Sequence, residues 1–153
     1  MDNNVSNKIV FEDFKKEYID KIYEIEKDSL DVAWSKDQLK DLIEAKNTVA
    51  RVGVIDGEVV CSYSFNIVID EGDINNLSVK KSWRGRGVGS LLMEDMIKCA
   101  VDSGVESLTL EVNENNTVAI NLYKKYGFGV EGMRPKFYHG KEAALVMWRR
   151  NLK

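Results

Sequence analysis

The chain is 153 residues long, 44% apolar and 31% charged, with a formal charge of −3 at pH 7. That is the length of one domain, able to bury a core without disulfides or a metal, and its mild acidity argues against a nucleic-acid binder acting through bulk electrostatics. The longest wholly apolar run, Ala143 to Trp148, is too short to cross a bilayer and no signal-like stretch is visible, so a cytoplasmic protein without a membrane partner is expected.

Residues 1–8 are polar and patternless and read as a flexible leader, which leaves 9–153 as the single domain. From Phe14 onward, Phe14, Tyr18, Ile22, Ile25 and Leu30 recur at about helical spacing and predict a first helix. A loop from Leu30 to Trp34 follows. Ser35 and Gln38 then form a capping-box pattern that opens a second helix carrying Leu39, Leu42 and Ile43. At Thr48 the period changes to two. Val49 to Ile55 and Val59 to Ile69 flank Asp56-Gly57, a strong hairpin signal, and after Asp70-Glu71-Gly72 a third strand runs from Ile74 to Val79.

A segment rich in glycine and arginine spans Ser82 to Gly89. It leads into a helix marked by Val88, Leu91, Leu92, Met96 and Cys99, which ends near Gly104. Ser107 to Val112 reads as a strand. Asn115 or Asn116 caps a helix with Val118, Ile120, Leu122 and Tyr123 that stops at Gly127. Phe128 to Val130 and Ala143 to Trp148 close the chain as strands, with His139 in a turn between them. The pattern predicts an α/β domain with a mixed sheet.

Several chemistries are poor fits. His139 is the only histidine and reads as a turn residue, and Cys61 and Cys99 stand far apart with no ligand cluster around either, so a zinc site and a Ser-His or Cys-His triad are both poor hypotheses; no metal is expected. The segment Arg84-Gly85-Arg86-Gly87-Val88-Gly89 follows a strand and opens a helix, which is the geometry of a phosphate cradle. Lys80, Lys81, Arg84 and Arg86 would gather positive charge there. A dinucleotide fingerprint read from Gly85 would place its third glycine on Ser90, and no Gly-Lys-Ser or Gly-Lys-Thr follows, so both nucleotide loops fail on register.

The same residues resemble the pyrophosphate loop of the GNAT acetyltransferases, R/Q-x-x-G-x-G/A. A second block agrees: Leu110-Glu111-Val112, then Asn116, Ala119, Leu122-Tyr123 and Gly127-Phe128, in that family's order. The resemblance implies the GNAT fold, a mixed and mostly antiparallel sheet flanked by helices, and acetyl-CoA as acetyl donor. It implies that Leu77, Ser78 and Val79 pair with the pantetheine arm. Arg84, Gly85, Arg86, Gly87, Val88, Gly89 and Ser90 would hold the pyrophosphate, and Asn116 would contact the cofactor as well as cap its helix. Within the family the chain is most similar to the ribosomal-protein alanine N-acetyltransferases, through Ile25-Glu26, Ala33-Trp34-Ser35, Arg134-Pro135-Lys136-Phe137-Tyr138 and Gly140-Lys141-Glu142. That likeness implies a protein N-terminus as partner, ribosomal protein S18 among the candidates, and leaves monomer and homodimer open.

The alternation of Leu108, Leu110 and Val112 puts Glu111 on the opposite face, and a carboxylate inside a sheet covered on both faces is costly unless it opens on a cleft. The resemblance matches Glu111 to the family's general base and Tyr123 to its general acid; by periodicity alone Tyr123 reads as a core residue. Trp34 and Tyr138 are candidate walls of the acceptor groove, with core packing or plain exposure as equal alternatives. Ala33, Phe137 and Ala143 stand where the family usually has Pro, Tyr and Asp, which keeps open an acetyltransferase of small amines such as a polyamine or aminoglycoside. A non-catalytic acyl-CoA sensor is a third reading.

Overall fold

The computed structural model describes residues 8–29 and 33–152, so most of the expected leader and Leu30, Asp31 and Val32 of the expected loop lie outside the described residues. Asp56 (φ 49°) and Gly57 (φ 81°) both take left-handed conformations, as a two-residue hairpin turn requires. They close β2 (Thr48–Ile55) onto β3 (Glu58–Val68), with Ile55 opposite Glu58. A second two-residue turn returns the chain as β4 (Glu71–Val79), antiparallel to β3.

A strand that periodicity did not predict precedes these. β1 (Val10–Asp13) pairs with β2, and the Phe14 amide extends the contact to the Ala50 carbonyl at 2.9 Å. The first helix therefore starts later than expected: a 3₁₀ turn at Lys16–Tyr18 leads into α1 (Ile19–Ser29). Phe14 is buried as an anchor at the exit of β1, and its spacing to Tyr18 and Ile22 mimicked a helical face. α2 (Lys36–Glu44) begins with the predicted capping box. The Gln38 amide donates to Ser35 Oγ at 3.1 Å, and the Ser35 amide donates to Gln38 Oε1 at 2.8 Å.

Beyond the phosphate-loop segment come α3 (Val88–Asp102), β5 (Ser107–Asn113), α4 (Thr117–Lys125), β6 (Gly129–Tyr138) and β7 (Glu142–Arg149). Among the described residues, seven strands form one sheet in the order β1-β2-β3-β4-β5-β7-β6, in which only the β4–β5 pair is parallel. β6 runs well past the predicted Phe128 to Val130. It is an edge strand, almost wholly exposed, and Pro135 falls in its irregular stretch between Arg134 and Tyr138, where a missing amide breaks no ladder.

Two cores sandwich the sheet. On one face Ile22 and Ile25 of α1 and Leu39 and Leu42 of α2 pack over Val52 and Val59. On the other, Leu92, Met93 and Met96 of α3 and Ile120 and Tyr123 of α4 pack over Tyr63, Phe65, Leu108, Leu110 and Met147. Among the described residues no helix is long and apolar enough to cross a membrane.

One irregularity positions the site. Ser64 pairs with Asn76 but Phe65 pairs with Ile74, so Asn75 is an extra residue in β4 and bends it. β4 and β5 pair only over Glu71–Asp73 and Ser107–Thr109, then diverge. A wedge opens between two neighbouring strands in the middle of the sheet.

Candidate active site

The wedge holds a cleft of about 760 Å³, lined by Ile74 to Val79 of β4, Leu110 to Asn113 of β5, the loop residues Trp83, Arg84 and Gly85, Gly89 of α3, and Asn116 to Tyr123 of α4 in part. Leaving β5 exposes a strand edge on β4. Backbone groups of Leu77 to Val79 on the cleft side have no strand beside them, so an extended ligand carrying amides can complete the ladder. Val79 is partly engaged already, because Arg84 Nε donates to its carbonyl at 3.2 Å. Asn75 Nδ2 is buried without a partner at the same bulge.

At the mouth, Gly85 (φ 76°) and Gly87 (φ 87°) turn the chain into α3, whose first-turn amides have no intrahelical acceptors and carry the positive end of the helix dipole. This arrangement fits a pyrophosphate above an amide-bearing arm, which is the shape of acetyl-CoA. Of the loop residues named from sequence, Arg84, Gly85 and Gly89 line the cleft, whereas Arg86, Gly87, Val88 and Ser90 build the turn around it. The expected cluster of four cations is divided. Arg86 stacks over the Trp83 ring at 4.0 Å, and Lys80 pairs with Glu58 at 2.6 Å. Lys80 and Lys81 line a separate groove against α1. Because Gly87 sits at a left-handed φ, Gly87→Ala should cost about 1–2 kcal/mol of stability and weaken CoA binding, read by denaturant unfolding and calorimetric titration.

The Asn116 side chain lines the cleft and accepts from the Ala119 amide at 3.2 Å, so the helix-cap role is present at a cleft-lining residue. Glu111 and Tyr123 come from different walls, β5 and α4, onto the same cleft. The face of β5 that carries Glu111 is not covered as the sequence suggested: α1 and α2 pack over β2, β3 and β4, and the side chain of Glu111 stays 36% exposed. Both its oxygens accept from Arg134 Nη1, at 2.8 and 3.1 Å. Asp73 stands near enough that burial first, and the charge of Glu111 second, push its carboxyl up.

Tyr123 is 7% exposed, with its ring tilted against Phe128 at 6.0 Å. Burial, and then the neighbouring Tyr138, push its phenol well above the usual range, so it stays protonated at neutral pH. Tyr138 is buried at the end of β6, edge-on to Phe137 at 5.0 Å, and so stands beside the acid candidate. Trp34 does not join them. It lines a small pocket with Tyr23, Lys27 and Gln38, away from the cleft.

A residue quoted from sequence without a role connects these parts. Glu26 of α1 is fully buried, accepts from Asn76 Nδ2 and from the Trp34 backbone N–H, and leaves Oε1 without a partner. Ser64 Oγ donates in turn to Asn76 Oδ1. A charge on the buried side of an amphipathic helix was the available signal. Burial pushes the Glu26 carboxyl up, so the folded state binds this proton more tightly than the unfolded state. Stability is then lost as pH rises above the unfolded value of ~4.3 toward the folded one. Glu26→Gln should remove that part of the slope, so urea unfolding at pH 5 and pH 7 should show the variant gaining on the wild type at the higher pH.

Comparison with known proteins agrees with this geometry. Residues 19–128 match the family model described as the acetyltransferase (GNAT) family. A putative ribosomal protein bS18-alanine N-acetyltransferase of Bacillus subtilis is 33% identical over 94% of this chain and 97% of its own. The ribosomal protein bS18-alanine N-acetyltransferase of Haemophilus influenzae is 30% identical over 84% of this chain and 89% of its own. Among solved structures, Ard1 of Thermoplasma volcanium superposes with a TM-score of 0.87 at 29% identity, covering 95% of this chain and 99% of that one. The ribosomal-protein-S18-alanine N-acetyltransferase of Escherichia coli shares the fold, with a TM-score of 0.86 at 24% identity and 94% coverage of each chain. A wedge between β4 and β5, a glycine loop feeding a helix at its mouth, and sequence likeness along nearly the whole chain lead to one conclusion: the chain belongs to the GNAT family of acetyl-CoA-dependent N-acetyltransferases.

Proposed function

We propose that residues 9–153 act as one acetyltransferase domain that acetylates the α-amine of a protein N-terminus by direct attack in a ternary complex. The observation that carries this reading is the convergence of Glu111 and Tyr123 on one cleft from two different elements, β5 and α4. Acetyl-CoA, when bound, supplies the acetyl group as a thioester. The free edge of β4 orients its arm, and the amides at Gly85 to Gly89 meet its phosphates. Glu111, reached from the open face of β5, takes the proton from the attacking amine through water, and the protonated Tyr123 gives a proton to the departing sulfur. Neither cysteine lines the cleft, and burial pushes the Cys61 thiol up to about 12, which supports direct attack over a thiol relay.

An α-amine suits this machinery better than lysine. Its pKa of ~7.7–8.0, against ~10.4 for the lysine ammonium, lets a single carboxylate suffice as base. The bS18-alanine relatives make the N-terminal alanine of ribosomal protein bS18 our specific acceptor. Thiol release with alanyl peptides, the same peptides blocked at the N-terminus, and a polyamine tests the proposal. Acetyl should appear on the free α-amine by mass spectrometry, and turnover confined to the polyamine overturns the assignment.

A further inference from the structure

Resting on the reading of Glu111 as the base, we propose that Arg134 is a specificity-determining residue that binds the first backbone carbonyl of the acceptor peptide. Its placement follows from the sheet. Glu111 lies opposite Val146 on one side of β7, and Arg134 lies opposite Ala144 on the other. All four side chains share a face, and the small Ala144 lets the guanidinium cross β7 to the carboxylate. That face of β5, β7 and β6 is the one not covered by α1 and α2, so an acceptor can approach from it.

The hydrogen-bond pattern leaves capacity for a ligand. A guanidinium has five N–H donors, yet Nη1 alone makes both contacts to Glu111, and among the described residues Nε and Nη2 make no hydrogen bond. The guanidinium also stacks on the Phe137 ring at 4.1 Å, which fixes its plane. Phe137 is presented by the irregular end of β6, where Lys136 takes a left-handed φ of 54°. The Arg134 side chain stays 55% exposed, so it is held but reachable.

Acceptor chemistry supplies the rest. In a peptide the α-amine and the carbonyl of the same residue are joined through one Cα. An amine brought to Glu111 therefore carries its carbonyl toward the guanidinium that already contacts that carboxylate. A polyamine or a lysine side chain offers no carbonyl at that distance. Arg134 thus separates N-termini from other amines, while Glu111 performs the proton transfer on either.

The test compares an alanyl peptide with its analogue in which the first peptide bond is replaced by an E-alkene, which removes the carbonyl without adding a charge. Calorimetric binding of each to the CoA-bound protein is measured for wild type, Arg134→Ala and Arg134→Lys. Wild type should prefer the carbonyl peptide by about 10- to 100-fold, the effect of one charge-assisted hydrogen bond. Arg134→Ala should bind both peptides alike, with CoA affinity unchanged, and Arg134→Lys should restore part of the preference. The same discrimination in wild type and Arg134→Ala overturns the proposal, as does a kcat loss in Arg134→Ala with peptide KM intact, since that would make Arg134 a support for Glu111 alone. Failure of the base reading is seen separately, as a Glu111→Gln variant with wild-type turnover. A wild type that binds neither peptide overturns the Arg134 proposal and the N-terminal acceptor, and leaves the base reading to the Glu111→Gln rates.

Discussion

Glu111→Gln should lower kcat by about 10²- to 10⁴-fold, the range for loss of a positioned general base, and leave the KM for acetyl-CoA unchanged. Glutamine keeps the shape of the side chain and one oxygen for Arg134 Nη1, so the ion pair becomes a hydrogen bond from the guanidinium to an uncharged amide oxygen without vacating the site. It cannot accept a proton. The deficit should also depend on pH in a particular direction. Below ~7.7 the acceptor amine is protonated and the base is needed on every turnover, whereas above ~8 the amine loses its proton to solvent. The ratio of wild-type to variant rates should therefore shrink as pH is raised from 7 to 9. Steady-state rates on an alanyl peptide across that interval provide the check, and a constant ratio would mean that Glu111 acts by geometry or charge and not by taking the proton. Equal rates at pH 7 would remove it from the mechanism.

The parts of this molecule that were legible in its sequence are those whose physics is local. The Asp56-Gly57 turn, the Ser35–Gln38 capping box, the glycine loop before α3 and the Asn116 cap each act through residues a few positions apart, and each stands where the pattern put it. Edge strands escaped. β1 and most of β6 bury little, so they show no alternating apolar face; β1 also depends on β2, about forty residues away, and β6 is broken by an irregular stretch around Pro135. The cleft itself is a pairing event that stops: β4 and β5 part after Asp73 and Thr109, and no residue type announces that. The same distinction governs the site. Glu111 and Tyr123, the candidates named from their blocks, both line the cleft, but the Arg134 contact crosses a whole strand, and the Glu26–Asn76 contact joins a helix to the bulged strand. Trp34 shows the converse case, a residue plausible by motif that the fold places in another pocket.

Tyr123→Phe should also lower kcat by about 10²- to 10⁴-fold, for the opposite half of the reaction. The phenylalanine ring preserves the packing against Phe128. The hydroxyl has no hydrogen-bond partner among the described residues, so its removal strands nothing, and the melting temperature should hold or rise slightly. A loss of turnover with stability intact isolates the proton from the packing. The environment sharpens the expectation further. Burial pushes the phenol above its usual range, so wild-type kcat should show no fall from tyrosine ionisation up to pH ~10, where an ordinary phenol is half ionised. A site that merely packed an aromatic at this position would give Tyr123→Phe a wild-type kcat, and that single number would take the acid out of the scheme while leaving the cleft and Glu111 in place. If kcat falls instead, acetyl donors with better thiol leaving groups should recover the variant more than the wild type, because a sulfur that departs readily as thiolate has less need of the Tyr123 proton.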